Sequence, residues 1–200
     1  MEIEKIILAS GSLRRRQLLE WAEIPFEVNV ANTDESYPGH LSPAEIAMHI
    51  AYNKAISVKK YMTPTGIKSV YPILAADTIV TLEKKIIGKP DGRDAAVATL
   101  AQLSGKIHEV ITGVCILWAD KEIIFADKTL VEFYTLSQDQ ITYYVDKYKP
   151  YDKAGAYAIQ EWIGVTGIRS ITGDFYNVMG LPVSRVLKEL RTLGLTGYFF

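Results

Sequence analysis

The hydrophobic pattern along the chain alternates between apolar runs and amphipathic stretches. Runs rich in β-branched and aromatic residues predict strands at residues 5–9, 26–30, 73–82, 107–118 and 122–136, with a hairpin partner at 84–88. Apolar positions at helical spacing predict helices at residues 13–22, 43–61, 91–103, 138–148 and 182–193. This mixture of elements predicts an α/β fold with a mixed, twisted sheet and flanking helices.

Two of the predicted helices begin with a capping signal. Ser42 is followed three residues later by Glu45, and Ser137 by Gln140, so each pair fits a capping box. Residues 63–66 are predicted to break the chain, and the glycine-punctuated stretch 164–180 is given no regular element.

Length and composition fit an ordinary globular protein. Of the 200 residues, 48% are hydrophobic, enough to build a core without disulfides or a structural metal. The chain shows no repeat or linker, so we expect one domain over residues 1–200. The net charge of -1 argues against nucleic acid as a partner, and an anionic ligand would therefore need a local cluster of cations.

The single cysteine and the chain's start bear on location. Cys115 lies in an apolar run, which favours a buried strand cysteine over a reactive thiol. Residues 1–5 are charged and do not resemble a signal peptide, and no apolar run approaches the ~20 residues of a membrane span. We therefore expect a cytoplasmic protein without a membrane partner.

The first candidate site is a small polar turn that leaves a strand and opens a helix. Ser10 and Ser12 offer hydroxyls there, and Arg14 and Arg15 can fork onto phosphate oxygens. Three consecutive arginines are electrostatically unfavourable at the positive end of a helix, and a bound anion would relieve this repulsion. The alternative is a solvated basic helix face with Ser12 as an ordinary N-cap. The turn lacks the glycine and lysine pattern of a P-loop.

Carboxylates and lysines form the second candidate set. Asp77 lies within an apolar strand, where burial is costly unless the carboxylate is paired or binds a metal. Asp34 and Glu35 add acids that could serve Mg²⁺, although adjacent acids in a loop are usually just solvated. Lys54 has apolar helix neighbours and Lys89 lies in a Gly-Lys-Pro turn; each alone reads as a surface lysine, but together with the arginines they predict a phosphate clamp.

A third region, residues 151–160, is rich in small residues that allow close packing or ligand approach. Its last residue, Gln160, could read a base edge through its amide, although packing alone would explain most of the segment. His108 is interpreted as a structural histidine and is given no catalytic role.

Taken together, these segments resemble the Maf family of nucleotide pyrophosphatases. The resemblance runs from the first strand to the last helix and rests on seven motifs in family order. They are the turn at 10–19, Asp34-Glu35 with the helical Lys54, Ala76-Asp77-Thr78, Lys89-Pro90, the segment 104–112, the segment 152–160 and the closing segment 178–182. Leu13 stands where the family usually has proline, which we expect to reduce the rigidity of the turn and leave the chemistry intact.

The resemblance implies an elongated, two-lobed, ITPase-like architecture with a deep central cleft, and a homodimer as in many family members. It implies hydrolysis between the α- and β-phosphates with Mg²⁺ or Mn²⁺. Asp77 would accept the proton of water and touch the metal, and Glu35 would be a metal ligand. The triphosphate would be held by Ser10, Ser12, Arg14, Arg15, Lys54 and Lys89.

The resemblance also implies a substrate preference. Arg14, Thr78 and Gln160 match the family members that act on dTTP and UTP, and relatives acting on a methylated guanine nucleotide typically have tryptophan at the first of these positions. The alternative function is a non-catalytic nucleotide sensor, since Maf-type proteins are associated with septum formation. An RNA-modifying enzyme is disfavoured by the near-neutral charge.

Overall fold

The structure, a computed structural model, describes residues 5–62 and 71–194. Its strands are β1 (Ile6–Leu8), β2 (Phe26–Val28), β3 (Ile73–Leu82), β4 (Lys85–Ile87), β5 (Ile107–Trp118), β6 (Lys121–Phe133) and β7 (Ile168–Thr172). Its α-helices are α1 (Leu13–Trp21), α2 (Pro43–Met62), α3 (Arg93–Leu103), α4 (Gln138–Tyr148), α5 (Trp162–Gly167), α6 (Phe175–Met179) and α7 (Val183–Thr192), and a 3₁₀ turn spans Ala154–Ala156.

These strands form a mixed sheet. The hydrogen-bonded order is β2-β1-β3-β5-β6-β7, and β4 pairs with β3. β1 runs parallel to both β2 and β3, whereas β4 and β7 are antiparallel to β3 and β6. Parallel neighbours need a crossover, which α1 provides between β1 and β2. The predicted α/β class with a mixed sheet and flanking helices is confirmed.

Most predicted element boundaries agree with the structure to within a few residues. Both capping boxes are present: Ser42 N donates to the Glu45 carboxylate at 2.8 Å, and Ser137 N donates to the Gln140 amide oxygen at 2.8 Å. β6 ends three residues before the predicted end, where the backbone N of Leu136 donates to Ser104 Oγ at 2.7 Å. The predicted chain break at 63–66 lies outside the described residues.

The stretch 164–180, for which the sequence predicted no particular element, contains β7 and α6 and most of α5. Each of these elements is only five or six residues long. Gly173, at φ 128° in the left-handed region, turns the chain between β7 and α6. These three short elements were therefore missed in the sequence.

The described chain divides into two compact units. The first comprises the residues up to Asp77, Thr112–Asp127 and the residues from Gly180, and the second comprises Thr78–Ile111 and Lys128–Met179. The chain passes between units inside β3, β5 and β6, and again after α6. Each unit has a buried apolar cluster of its own.

In the first unit, the core lies between α2 and the sheet. Ala51 and Ala55 of α2 are fully buried against Ile73 and Cys115, so the helix approaches the strands closely. Cys115 is the buried strand cysteine that the sequence predicted. Burial raises the pKa of its thiol to about 12, so the reactive thiolate is absent at neutral pH. Among the described residues, no helix combines the length and apolar character that a bilayer crossing requires.

Candidate functional site

The turn between β1 and α1 is held by its own serine hydroxyls. Ser12 is the N-cap of α1, and its Oγ accepts from the backbone N of Arg15 at 3.5 Å. Ser10 Oγ accepts from the backbone N of Ser12 at 3.3 Å and from Arg15 Nη1 at 3.0 Å. Ser12 is thus the predicted N-cap, and Ser10 is buried beneath the turn.

Arg15 is a buried cation within the first unit. Its Nε donates to the carbonyl oxygen of Gly180 at 2.8 Å, and only 8% of the residue is exposed. Burial lowers the pKa of its guanidinium to about 10, and Asp77 and Glu35 partly offset this while neighbouring Arg14 adds to it. The interpretation of the arginines as a solvated helix face is therefore wrong for Arg15.

Lys54 joins the two acidic segments in the same unit. Its Nζ lies 2.7 Å from Asp77 Oδ1 and 2.9 Å from Glu35 Oε1. The side chains of Lys54 and Asp77 are 19% and 15% exposed, and that of Glu35 is 52% exposed. Lys54 is therefore the inward-facing lysine that its apolar neighbours predicted, and Asp77 is the paired strand carboxylate.

The loop that carries Glu35 is ordered by the preceding acid. Asp34 Oδ1 accepts from the backbone N of Ser36 at 2.9 Å, and its Oδ2 accepts from Ser36 Oγ at 2.8 Å. These two bonds lower the pKa of Asp34, since both favour the charged carboxylate. Asp34 thus fixes the turn around Glu35, with both of its carboxylate oxygens bonded to Ser36. The sequence did not predict this structural role.

The carboxylates of this cluster can be compared with what a divalent cation needs. Asp77 and Glu35 direct one oxygen each at the same ammonium group, so two hard oxygen donors converge on one cationic position. Mg²⁺ in phosphate sites usually takes one or two carboxylates and completes its shell with water and phosphate. Groups of three or more His, Cys, Asp or Glu suited to a metal are absent among residues 5–62 and 71–194. The pair therefore fits a metal shared with a substrate.

The remaining predicted site residues lie in the second unit or on the surface of α1. Arg14 is half-buried in the first turn of α1. Thr78 follows Asp77 in β3 and is half-buried, and Lys89 is exposed between β4 and α3. Gln160 is half-buried, and its amide Oε1 is buried with no hydrogen-bond partner among the described residues.

The segment predicted to permit close approach does so within the second unit. Gly155 has φ 73°, and a Cβ there would lie 3.2 Å from the side chain of Val80. The backbone N of Gly155 donates to the carbonyl oxygen of Gly88 at 3.3 Å. This contact joins the segment to the turn that carries Lys89.

His108 has the structural role that the sequence predicted. It is buried, its Nε2 lies 2.7 Å from Tyr157 Oη, and its ring stacks on Phe133 at 5.4 Å between centroids. Burial lowers the pKa of His108 to about 4, so the imidazole is neutral at physiological pH.

Sequence reasoning missed the residues around Gln160. Tyr144 Oη donates to the Glu161 carboxylate and accepts from the backbone N of Ala158 at 3.1 Å. No motif links a tyrosine in the middle of α4 to the turn at 158–161. A tyrosine on the buried face of α4 is typical of the hydrophobic core, so the sequence offers no reason to connect it with Gln160.

Comparison with known proteins identifies a family that matches most of the chain. The Maf-like protein family matches residues 5–193. A "dTTP/UTP pyrophosphatase" of Bacteroides thetaiotaomicron is 46% identical over 190 residues, covering 94% of this chain and 96% of that protein. A protein of the same name from Parabacteroides distasonis is 48% identical over 188 residues, covering 94% and 95%.

A relative from a third bacterial genus carries the same name. A "dTTP/UTP pyrophosphatase" of Bacillus cereus strain AH187 is 44% identical over 193 residues, covering 96% of this chain and 97% of that protein. Among solved structures, that of the Staphylococcus aureus Ham1 protein aligns with a TM-score of 0.44 at 12% identity, over 65% of this chain and 72% of that one, which is too distant to argue from. On the match to the family and these near full-length relatives, the chain belongs to the Maf-like protein family.

Proposed function

We propose that this protein hydrolyses nucleoside triphosphates, dTTP and UTP in preference to others, to the monophosphate and pyrophosphate. The observation that carries the proposal is the cluster in the first unit. There Lys54 pairs with both Asp77 and Glu35, and these carboxylates act electrostatically on the buried Arg15. The near full-length relatives named dTTP/UTP pyrophosphatase support the same reaction.

The cluster combines the two things that phosphoryl chemistry requires. Arg14, Arg15 and Lys54 supply positive charge against a triphosphate, and the serine turn at the start of α1 offers the positive end of a helix. We propose that Ser10 and Ser12 close this turn on the phosphates. Lys89 joins the clamp on the strength of the resemblance alone.

Asp77 is proposed to accept the proton of the attacking water. The oxygen of water bonds to the α-phosphorus, the bond from that phosphorus to the bridging oxygen breaks, and pyrophosphate leaves. Asp77 lies in the middle of β3 with a mostly buried side chain, so the backbone fixes its carboxylate. Such a fixed carboxylate suits a general base, whose contribution is typically 10²–10⁴-fold.

Glu35 and Asp77 are proposed to hold a divalent cation, Mg²⁺ or Mn²⁺, together with the substrate. Such a cation, when bound, neutralises charge on the phosphates. The Lys54 ammonium bridges the same two carboxylates. Hard oxygen ligands favour these hard cations over softer ones.

Gln160 is proposed to read the base. The N3 position of uracil and thymine carries a hydrogen, whereas N3 of cytosine is an acceptor. The amide oxygen of Gln160 is buried and lacks a partner among the described residues. It would accept a hydrogen bond from N3 of uracil or thymine, whereas opposite N3 of cytosine two acceptors would face each other without a hydrogen between them. Thr78 and Arg14 complete the proposed specificity set.

The non-catalytic sensor is not favoured, because the relatives carry the name of an enzyme and the chain has both carboxylates that the proposed reaction uses. A cytoplasmic location and a homodimer stay predictions from the sequence and the resemblance. Sedimentation of the purified protein would test the dimer.

The reaction is tested with purified protein, ¹⁸O-labelled water, and dTTP, UTP, CTP, ATP or GTP with Mg²⁺ or Mn²⁺. We expect dTMP or UMP carrying the label and unlabelled pyrophosphate. Label in pyrophosphate would place the attack at the β-phosphorus, and purine-only activity would overturn the base preference. Nucleotide binding without any product would favour the alternative function, a non-catalytic nucleotide sensor.

The base assignment is tested in the same assay with Asp77→Asn. We expect turnover to fall by roughly 10²–10⁴-fold while dTTP binding survives, because the amide keeps the size of the carboxylate and cannot take the proton. Asp94→Asn, whose side chain is 98% exposed in α3, is the matched control. Near wild-type turnover of Asp77→Asn would show that another group accepts the proton.

A further inference from the structure

The turn that presents Gln160 is fixed by side chains outside the proposed site. Glu161 N donates to the carbonyl oxygen of Ala158 at 3.1 Å, which closes a four-residue turn with Gln160 at its third position. Gln160 therefore lies within a tight turn, and the position of its amide depends on what holds Ala158 and Glu161.

Tyr144 holds both ends of this turn through one oxygen. Its Oη accepts from the backbone N of Ala158 at 3.1 Å and donates to Glu161 Oε2. The tyrosine is fully buried in α4, so its ring has one position from which to reach the turn. A hydrogen bond to a carboxylate is stronger than one between neutral groups, which makes this clamp stiff.

Two further contacts fix the same turn from other directions. Lys153 Nζ lies 3.8 Å from Glu161 Oε1 and 2.8 Å from Asp152 Oδ1, and the lysine side chain is 11% exposed. A Cβ on Gly164 of α5 would lie 1.7 Å from the carbonyl oxygen of Ile159, so α5 lies directly against the turn backbone. The turn is therefore held at its two ends and along its backbone.

We propose that Tyr144 and Glu161 are positioning residues for base recognition, which hold the Gln160 amide where it meets the pyrimidine. This inference rests on the proposed function, because it takes Gln160 to read the base. The clamp explains how an amide with a buried, unpartnered oxygen keeps one orientation. A residue fixed in this way discriminates between bases, since a misplacement of about 1 Å can cost 10²-fold.

The test is a double-mutant cycle of Tyr144→Phe and Gln160→Ala, followed by kcat/KM for dTTP and for CTP. Phenylalanine keeps the buried ring and removes only the hydroxyl. We expect Tyr144→Phe to lower the dTTP to CTP ratio roughly tenfold in the wild-type background and to leave it unchanged in the Gln160→Ala background. We expect the loss to lie in KM for dTTP more than in kcat.

Tyr143→Phe is the matched control. Tyr143 is the neighbouring residue on α4, it is 46% exposed, and its hydroxyl pairs with Lys147 outside the turn. We expect this variant to keep the wild-type ratio. If Tyr144→Phe lowered the ratio equally in the wild-type and Gln160→Ala backgrounds, or in neither, the proposed role of the clamp would be overturned.

A second measurement separates failure of the clamp from failure of the proposed function. We expect amide hydrogen exchange at Ala158 to accelerate at least tenfold in Tyr144→Phe and not in Tyr143→Phe, whether or not the protein turns over nucleotide. Unchanged exchange with an active wild-type enzyme would overturn the clamp alone. Accelerated exchange in a wild type that neither binds nor hydrolyses dTTP would overturn the proposed function, and with it the role in base recognition.

Discussion

One ammonium group serves two carboxylates at the centre of the candidate site. Lys54 lies within 3 Å of oxygens from both Asp77 and Glu35, each of which is proposed to bind a divalent cation. An ammonium and a metal cannot occupy the same position between these oxygens. A divalent cation held by both carboxylates would therefore displace Lys54 from them, and the triphosphate would offer the ammonium a new partner.

Substituting this lysine should have opposite effects on the two ligands. We expect Lys54→Met to bind Mn²⁺ roughly tenfold more tightly without nucleotide, because no ammonium competes for the carboxylates. The same variant should bind dTTP about tenfold more weakly, since a charged contact to phosphate is lost. Calorimetry with MnCl₂ alone and then with dTTP measures both constants.

The control for this pair of effects is Lys60→Met, an exposed lysine in the last turn of the same helix. It should leave both constants unchanged. If Lys54→Met bound Mn²⁺ no better than the wild type, the metal would not use the oxygens that Lys54 bridges.

At the scale of elements, α2 is positioned by a glycine in β5. A Cβ on Gly113 would lie 2.2 Å from the carbonyl carbon of Ala47, so the helix backbone touches the strand. α2 also carries Lys54, two turns beyond this contact. The closeness of the helix to the sheet therefore sets how far Lys54 reaches towards Asp77.

A methyl group at this position should displace the helix. We expect Gly113→Ala to lower the free energy of unfolding by about 1–3 kcal/mol, as overpacking does, and to lower turnover because Lys54 moves with α2. Urea denaturation and the dTTP assay measure the two effects. Gly39→Ala is the control, because a Cβ at Gly39 would have no atom within 4 Å beyond its chain neighbours. It should change neither the free energy of unfolding nor turnover.

The long elements could be predicted from sequence because their patterns are self-contained. β3 and β5 read as apolar runs, and the capping boxes at Ser42 and Ser137 mark two helix starts. The short elements between residues 162 and 179 could not be predicted, because five or six residues do not show a period. Their glycines indicated loops, whereas Gly167 is buried against Leu136.

The site shows the same division between local and long-range information. Apolar neighbours predicted an inward-facing Lys54 and indicated that Asp77 needs a partner or a metal, and the structure pairs these two residues with each other. The bond from Arg15 to the carbonyl of Gly180 joins residues 165 positions apart, and no local pattern encodes it. The burial of Arg15 could therefore not be predicted from the sequence.

At the scale of the whole molecule, stability in mild acid should depend on one histidine. His108 is buried between Phe133 and Tyr157, and burial lowers its pKa from 6.5 to about 4. The unfolded chain therefore takes up a proton at higher pH than the folded one does. The resulting stability is fully present above pH 6.5 and is lost as the pH falls towards 4.

The size of this effect follows from the pKa difference. Between pH 6.5 and 4 the loss approaches about 3 kcal/mol, of which about 2 kcal/mol is gone by pH 5.

His108→Gln cannot take up a proton, and its amide can still bond to Tyr157 Oη. The variant should therefore be less stable than the wild type at pH 7 and should lose less stability on acidification. Urea denaturation from pH 7.5 to 4.5 measures both slopes, with His40→Gln as the control because His40 is exposed. Parallel slopes for the wild type and His108→Gln would contradict the prediction, because they would mean that the pKa of His108 is the same in the folded and unfolded states.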